Sequence, residues 1–141
     1  MAIRPRVLLA DDYAPLVRGL TRVLSPDCDI VGHATSVAEL VRAATTCRPD
    51  IVIVDLFLPD GNGIDACRQL RAMQPDVKVI LLTAADDTDI RLEALNAGAS
   101  DFVSKYRTEQ LLPAIINLDA TARPSLTTSG LKADSQNRGV R

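Results

Sequence analysis

Five polar residues close the short apolar runs of this chain. Asp11 and Asp12 end RVLLADD, Asp55 ends DIVIVD, Thr83 ends VKVILLT and Lys105 ends DFVSK. Three carboxylates, one hydroxyl and one ammonium are the parts needed to hold a divalent metal and a phosphoryl group. Mg2+ takes hard oxygen ligands in near-octahedral geometry and keeps several waters. Asp12 and Asp55 can each give it one carboxylate oxygen, and Asp11 suits a metal-bound water. Such an ion also relieves the repulsion among three close carboxylates. A carboxylate is itself a competent nucleophile toward phosphorus. Lys105 would then supply a cation for the phosphoryl oxygens and Thr83 a hydroxyl donor.

This chemistry needs the run ends brought to one edge. Runs this short and this rich in Val, Ile and Leu suit strands of a parallel sheet covered on both faces. The sequence predicts strands over 6–11, 29–33, 51–55, 77–82 and 101–104. Helices are expected over about 15–24, 37–46, 64–73, 88–96 and 108–122. Pro15 suits a first helical turn, and Leu16, Leu20, Val23 and Leu24 form the buried stripe behind it. Ser36 and Glu39 make a capping-box pattern. LPDGNG, residues 58–63, is the densest turn chemistry, with glycines that permit positive φ and close backbone approach. Gly98 fits the residue just past a helix end. Thr108 can cap the last helix, which Pro113 should make start late or bend.

Short connections and right-handed crossovers make this a single doubly wound (βα)5 domain with a five-stranded parallel sheet of order 2-1-3-4-5. Ligands bind such a sheet beyond the carboxyl ends of its strands, at the switch point beside strand one. Asp11, Asp12 and Asp55 would therefore meet. The domain is expected over 1–122. Residues 123–141, rich in Ser, Thr, Gly and charge, read as a flexible tail or truncated linker.

Bulk properties narrow the function. The chain has 141 residues and a net charge of -2, which gives no general argument for nucleic acid or membrane. Aromatics make up 3%, too few for a set of base-stacking platforms. No apolar stretch approaches the ~18 residues of a membrane span, and the N-terminus lacks a signal-peptide core. A cytoplasmic location is expected. Cys28, Cys47 and Cys67 are dispersed and odd in number, which fits reduced thiols. His33 is the sole histidine and reads as structural.

Taken together, Asp11-Asp12, the segment DLFLPDGNG from Asp55, Thr83 followed by Ala84-Ala85, and Lys105 after GASDFVS resemble the receiver domain of bacterial two-component response regulators. The resemblance covers about residues 4–120. It implies a flavodoxin-like fold with Asp55 as phosphoacceptor, and Mg2+ as cofactor with Mn2+ as an alternative. The Phe57 carbonyl would be a further metal ligand. It implies a histidine kinase or phosphotransfer protein as donor, and no enzymatic activity beyond the domain's own phosphorylation and dephosphorylation. Thr83, Ala84, Lys105 and Phe102 are the implied phosphoryl-binding and switch residues. Thr83 would move toward the phosphoryl group and Phe102 would turn inward. The changed face, made by the fourth helix, fifth strand and fifth helix, is the candidate for homodimer contact.

Two departures have consequences. Tyr106 replaces the proline often found after the lysine, as in the subfamily with a C-terminal helix-turn-helix, so a trans bond is expected. Phe57, bulky and apolar, is expected to slow attack by water on a phosphorylated Asp55. Alternative readings are the receiver part of a DNA-binding transcription regulator, a phosphorylation-independent docking module, and a metal-dependent phosphohydrolase. Residues 123–141 are too few for a helix-turn-helix, so direct nucleic-acid binding by this chain is not expected. Taken singly, Asp12 reads as a helix cap and Asp86, Asp87 and Asp89 as a solvated helix start.

Overall fold

Alternation along the strands sorts the core onto two faces. The computed structural model describes residues 4–85 and 87–122. Its strands are β1 (Arg6–Ala10), β2 (Asp29–Ala34), β3 (Ile51–Asp55), β4 (Lys78–Thr83) and β5 (Asp101–Ser104). They form one parallel sheet of order β2-β1-β3-β4-β5, as expected. The helices are α1 (Ala14–Leu24), α2 (Val37–Cys47), α3 (Gly63–Met73), α4 (Thr88–Asn96) and α5 (Leu111–Ala122). Val7, Leu9, Ile51, Ile53, Ile80, Leu82 and Val103 face α1 and α5. Leu8, Ala10, Val52, Val54, Val79, Leu81 and Phe102 pack on the other side with α2, α3 and α4. Burial on both faces is why these runs read as continuously apolar.

Local chemistry explains most boundaries and corrects several expectations. In α1 the buried residues are Val17, Leu20 and Leu24, whereas Val23 is 62% exposed. The spacing i, i+3, i+7 keeps Val17 on the sheet side and turns Val23 outward. Ser36 Oγ accepts from Glu39 N–H at 3.1 Å, but Glu39 reaches back to Thr35 N–H at 2.7 Å rather than to Ser36. Thr108 is not a cap. It begins a 3-10 turn (Thr108–Gln110) whose preceding Arg107 makes no side-chain cap. That turn delays α5 to Leu111, so Pro113 falls in the first turn, where N–H groups lack helical partners anyway. The Lys105–Tyr106 bond is trans, since no described peptide bond is cis.

LPDGNG does more than turn. Phe57–Leu58 and Gly61–Asn62 pair as a small antiparallel hairpin. Neither Gly61 nor Gly63 adopts positive φ; among the described glycines Gly98 does, at 98°. Gly63 is needed for closeness instead: an added Cβ would lie 2.6 Å from the Asp55 carbonyl oxygen. Arg48 ends α2 in the left-handed region at φ 47°, and nothing in its side-chain type marks it for that conformation.

The 123–141 tail and Asp86 lie outside the described residues. Among the described residues no helix is long and apolar enough to cross a membrane. The three thiols are unpaired. Burial pushes Cys28 and Cys67 up to about 11, so both are un-ionised at neutral pH.

Candidate functional site: an acidic pocket with one lysine

The carboxyl ends of β1, β3 and β5 carry the site. Asp11, Asp55 and Lys105 continue the alternation of Val7-Leu9, Ile51-Ile53 and Val103, the residues turned toward α1 and α5. Period two therefore aims all three the same way. Lys105 Nζ lies 3.0 Å from Asp11 Oδ2 and 3.1 Å from Asp55 Oδ2. Both acids are buried, at 3% and 5% exposure. Asp12 is exposed beside them. One carboxylate oxygen from each of Asp11, Asp12 and Asp55 falls within 4.8 Å of the others.

This donor set fits a hard cation. At Mg2+–O distances of about 2.1 Å, ligand oxygens sit about 3–4 Å apart. Carboxylate oxygens all within 4.8 Å of one another are close enough to share one ion. Asp12 is free for this work, because α1 is preceded by Tyr13 and has no side-chain cap. Asp11 is engaged on both oxygens: its Oδ1 accepts from Tyr13 N–H at 2.9 Å, and its Oδ2 faces Lys105 Nζ at 3.0 Å.

Burial raises the Asp55 carboxyl above its ordinary range. The hydrogen bond from Lys105 opposes that rise without cancelling it, and the charge of Asp11 adds to it. Burial works against the Lys105 ammonium, but its hydrogen bonds to Asp11 and Asp55 outweigh this, so its pKa is raised. The lysine therefore stays protonated, and burial disfavours the charged form of the Asp55 carboxyl beside it.

Thr83 is fully buried, and its Oγ1 accepts from Ala85 N–H at 2.9 Å. It shares the alternation of Val79 and Leu81, which explains why its hydroxyl turns from the Asp55 side in this structure. The hydroxyl keeps one hydrogen to donate. Ala84 follows, exposed, and lines a cavity with Arg91, Phe102 and Tyr106. Phe102 is buried at 6%, with the Arg91 guanidinium 4.6 Å over its ring. Phe57 stands 63% exposed, and its N–H makes a long 3.4 Å contact to Asp55 Oδ1. Asp87 caps α4 through Asp89 and Ile90 N–H, as the helix-start reading held. His33 is exposed and lines a cavity with Asp11, Ala14 and Arg18.

The close backbone approach expected of the LPDGNG glycines is made by Gly63, while Asn62 and Asp60 escaped the sequence reading. Gly63 packs on the Asp55 backbone. Asn62 caps α3 by accepting from Asp65 N–H at 2.9 Å. Asp60 accepts from Val37 and Ala38 N–H at 2.7 and 3.0 Å. Only Asn62 had a local signal, an Asx residue directly before a helix.

Comparison with known proteins agrees with this geometry. The family model described as "Response regulator receiver domain" matches residues 7–117. The chain is 42% identical over 102 residues to the DNA-binding transcriptional activator DevR/DosR of Mycobacterium tuberculosis, covering 71% of this chain and 47% of the relative. It is 38% identical over 117 residues to the DNA-binding response regulator MtrA of Mycolicibacterium paratuberculosis, covering 80% and 50%. A two-component response regulator of the LuxR family from Aurantimonas sp. SI85-9A1 superimposes with a TM-score of 0.81 at 30% identity, covering 84% of this chain and 87% of that one. The chain spans about half the length of these two curated relatives.

Proposed function

The chain belongs to the response regulator receiver domain family of two-component signalling, and on that premise we propose that Asp55 is its phosphoacceptor. The observation that carries this is one buried carboxylate, raised in pKa, with an ammonium at 3.1 Å and two further acids grouped within 4.8 Å. Asp12, Asp55 and the Phe57 carbonyl would hold Mg2+ (or Mn2+), with Asp11 acting through a water. When bound, the ion neutralises negative charge in the pocket.

An Asp55 carboxylate oxygen attacks the phosphorus of a phosphohistidine on a histidine kinase or phosphotransfer protein. An O–P bond forms as the P–N bond breaks, and its electron pair returns to the imidazole nitrogen, which takes up a proton. Positioning and charge neutralisation carry most of such a transfer. Lys105 follows the new charge to a phosphoryl oxygen, and Thr83 donates its remaining hydrogen. Ala84 leaves room beside the group. Water attack on phosphorus reverses the state, so the domain catalyses only its own phosphorylation and dephosphorylation. The exposed Phe57 ring limits that water; a Phe57→Asn variant should lose the phosphoryl group faster, and an unchanged rate counts against this role.

The switch runs from Thr83 to the face of α4, β5 and α5. Phe102 is already buried under Arg91 here, so any exchange of its ring breaks that stacking. Leu92, Leu95, Tyr106 and Ile116 are exposed apolar residues of these elements and their flanks, and they support homodimer contact there. A second reading, service to a DNA-binding regulator, is favoured by the DNA-binding relatives and their greater length. A reading frame continuing into a helix-turn-helix would bear it out.

The direct test is intact mass after incubation with acetyl phosphate and Mg2+. One phosphoryl adduct is expected, absent in Asp55→Asn and without Mg2+. No adduct on folded protein would favour the docking module. Steady turnover of a small phosphate ester would favour the phosphohydrolase.

A further inference from the structure

We propose that Asp60 is a positioning residue for the metal site, holding the Phe57 carbonyl in place by clamping its hairpin to the start of α2. This rests on the metal-site reading above. The hairpin has two residue pairs, Phe57 with Asn62 and Leu58 with Gly61. A two-stranded ribbon that small has no independent stability. It must be held from outside, and three anchors are visible. At its base, Gly63 N–H donates to Leu56 O at 2.8 Å. On its return strand, Asn62 caps α3. At its tip, Asp60 accepts from Val37 and Ala38, the first two N–H groups of α2.

The tip contact suits a carboxylate. Those N–H groups have no partner within the helix, and the helix start carries partial positive charge. The two hydrogen bonds hold the Asp60 carboxyl below its ordinary range. Packing supports the same seat: an added Cβ on Gly61 would lie 3.3 Å from Val37 Cγ2, so the ribbon backbone sits directly on the first turn of α2. The first base and tip anchors lie on either side of Phe57. Without Asp60, the tip loses its polar anchor and the Phe57 carbonyl gains freedom along the ribbon.

The test separates positioning from helix capping. Ser36→Ala removes another cap of the same helix, one that accepts from Glu39 N–H and does not touch the hairpin. Mg2+ affinity is measured by isothermal titration calorimetry on the full chain. Amide exchange of residues 56–62 is followed without metal. Asp60→Ala should weaken Mg2+ binding roughly threefold to tenfold, short of the 10–100-fold typical of residues bonded directly to a ligand. It should also speed exchange over 56–62. Asp60→Asn, with one acceptor oxygen left, should fall between it and wild type. Ser36→Ala should leave Mg2+ affinity unchanged. Wild-type affinity in both Asp60 variants, or an equal loss in Ser36→Ala, would overturn the role. A wild-type chain that binds no Mg2+ would remove the metal-site reading and this inference with it, while leaving the exchange difference to report the clamp itself.

Discussion

Gly63→Ala sets two effects of opposite sign against each other. Alanine should help on local grounds: Gly63 opens α3 without positive φ. There the exchange is worth up to ~1 kcal/mol through helix propensity and reduced freedom of the unfolded chain. The packing opposes it. The new Cβ would lie 2.6 Å from Asp55 O and 2.7 Å from Leu81 Cδ2. An ordinary C···O contact is about 3.3 Å or more, so a gap of roughly 0.7 Å must open. Leu81 is fully buried, and Asp55 O belongs to the β3 backbone, so neither neighbour gives way freely. Overpacking of this kind costs ~1–3 kcal/mol, and we expect it to win by ~1–2 kcal/mol. Thermal denaturation should show Tm lowered by roughly 4–10 °C. The atoms that must move belong to Asp55, the proposed acceptor, and a displacement near 1 Å can slow a reaction by about 100-fold. Adduct formation from acetyl phosphate should therefore slow by roughly 10–100-fold. A raised Tm with wild-type adduct formation would refute the close approach of Gly63 to Asp55.

Three further outcomes follow from the same geometry. The ionised Asp55 is disfavoured by burial, so metal-free Asp55→Asn should be more stable than wild type at pH 7. Because a raised carboxyl pKa means the folded state binds its proton more tightly, wild type should recover stability as pH falls toward the ordinary 3.8. Melting curves across that range should show the gap closing; a gap constant with pH refutes the assignment. Lys105→Met should slow adduct formation roughly 10–100-fold, the rate equivalent of one charge-assisted contact of ~1.5–3 kcal/mol. A wild-type rate by intact mass would exclude a phosphoryl-binding role. Arg91→Ala should cost ~0.5–1 kcal/mol in urea denaturation through the lost cation–π contact, and no loss would mean the stacking contributes nothing in solution.

The site was legible wherever a residue's role follows from its own place on a strand. Asp11, Asp55 and Lys105 end or follow apolar runs, and alternation carries them to one side of one edge. Thr83 also ends such a run, but its neighbours Val79 and Leu81 face the opposite layer. That parity can be read from the chain, and it separates the hydroxyl bonded to Ala85 from the trio that meets at Lys105. Helix interiors were equally legible, because propensity and periodicity act over a few residues. Val23 was misplaced only because its neighbour Val17 fits the buried spacing better.

Which glycine of LPDGNG makes the close approach, and what Asp60 holds, were illegible for a different reason. Gly63 and Asp60 lie in a segment whose composition says that the chain reverses and can come close to a neighbour, but not which neighbour it meets. What makes each one matter is a partner distant in sequence: Leu81 for Gly63, and the first turn of α2 for Asp60. Turn chemistry predicts a glycine's φ, and here φ is not what the glycine supplies. A carboxylate in a turn normally bonds its own backbone. Asp60 instead bonds the orphan donors of a helix that precedes it by 23 residues, as Val37 and its hydrogen bond record. The consequence is mechanical. The segment after Asp55 is joined to β3 by close packing, to α3 by Asn62 and to α2 by Asp60. Under the proposed acceptor role, a charge change at Asp55 would bear on two helices through a ribbon of six residues, Phe57 to Asn62.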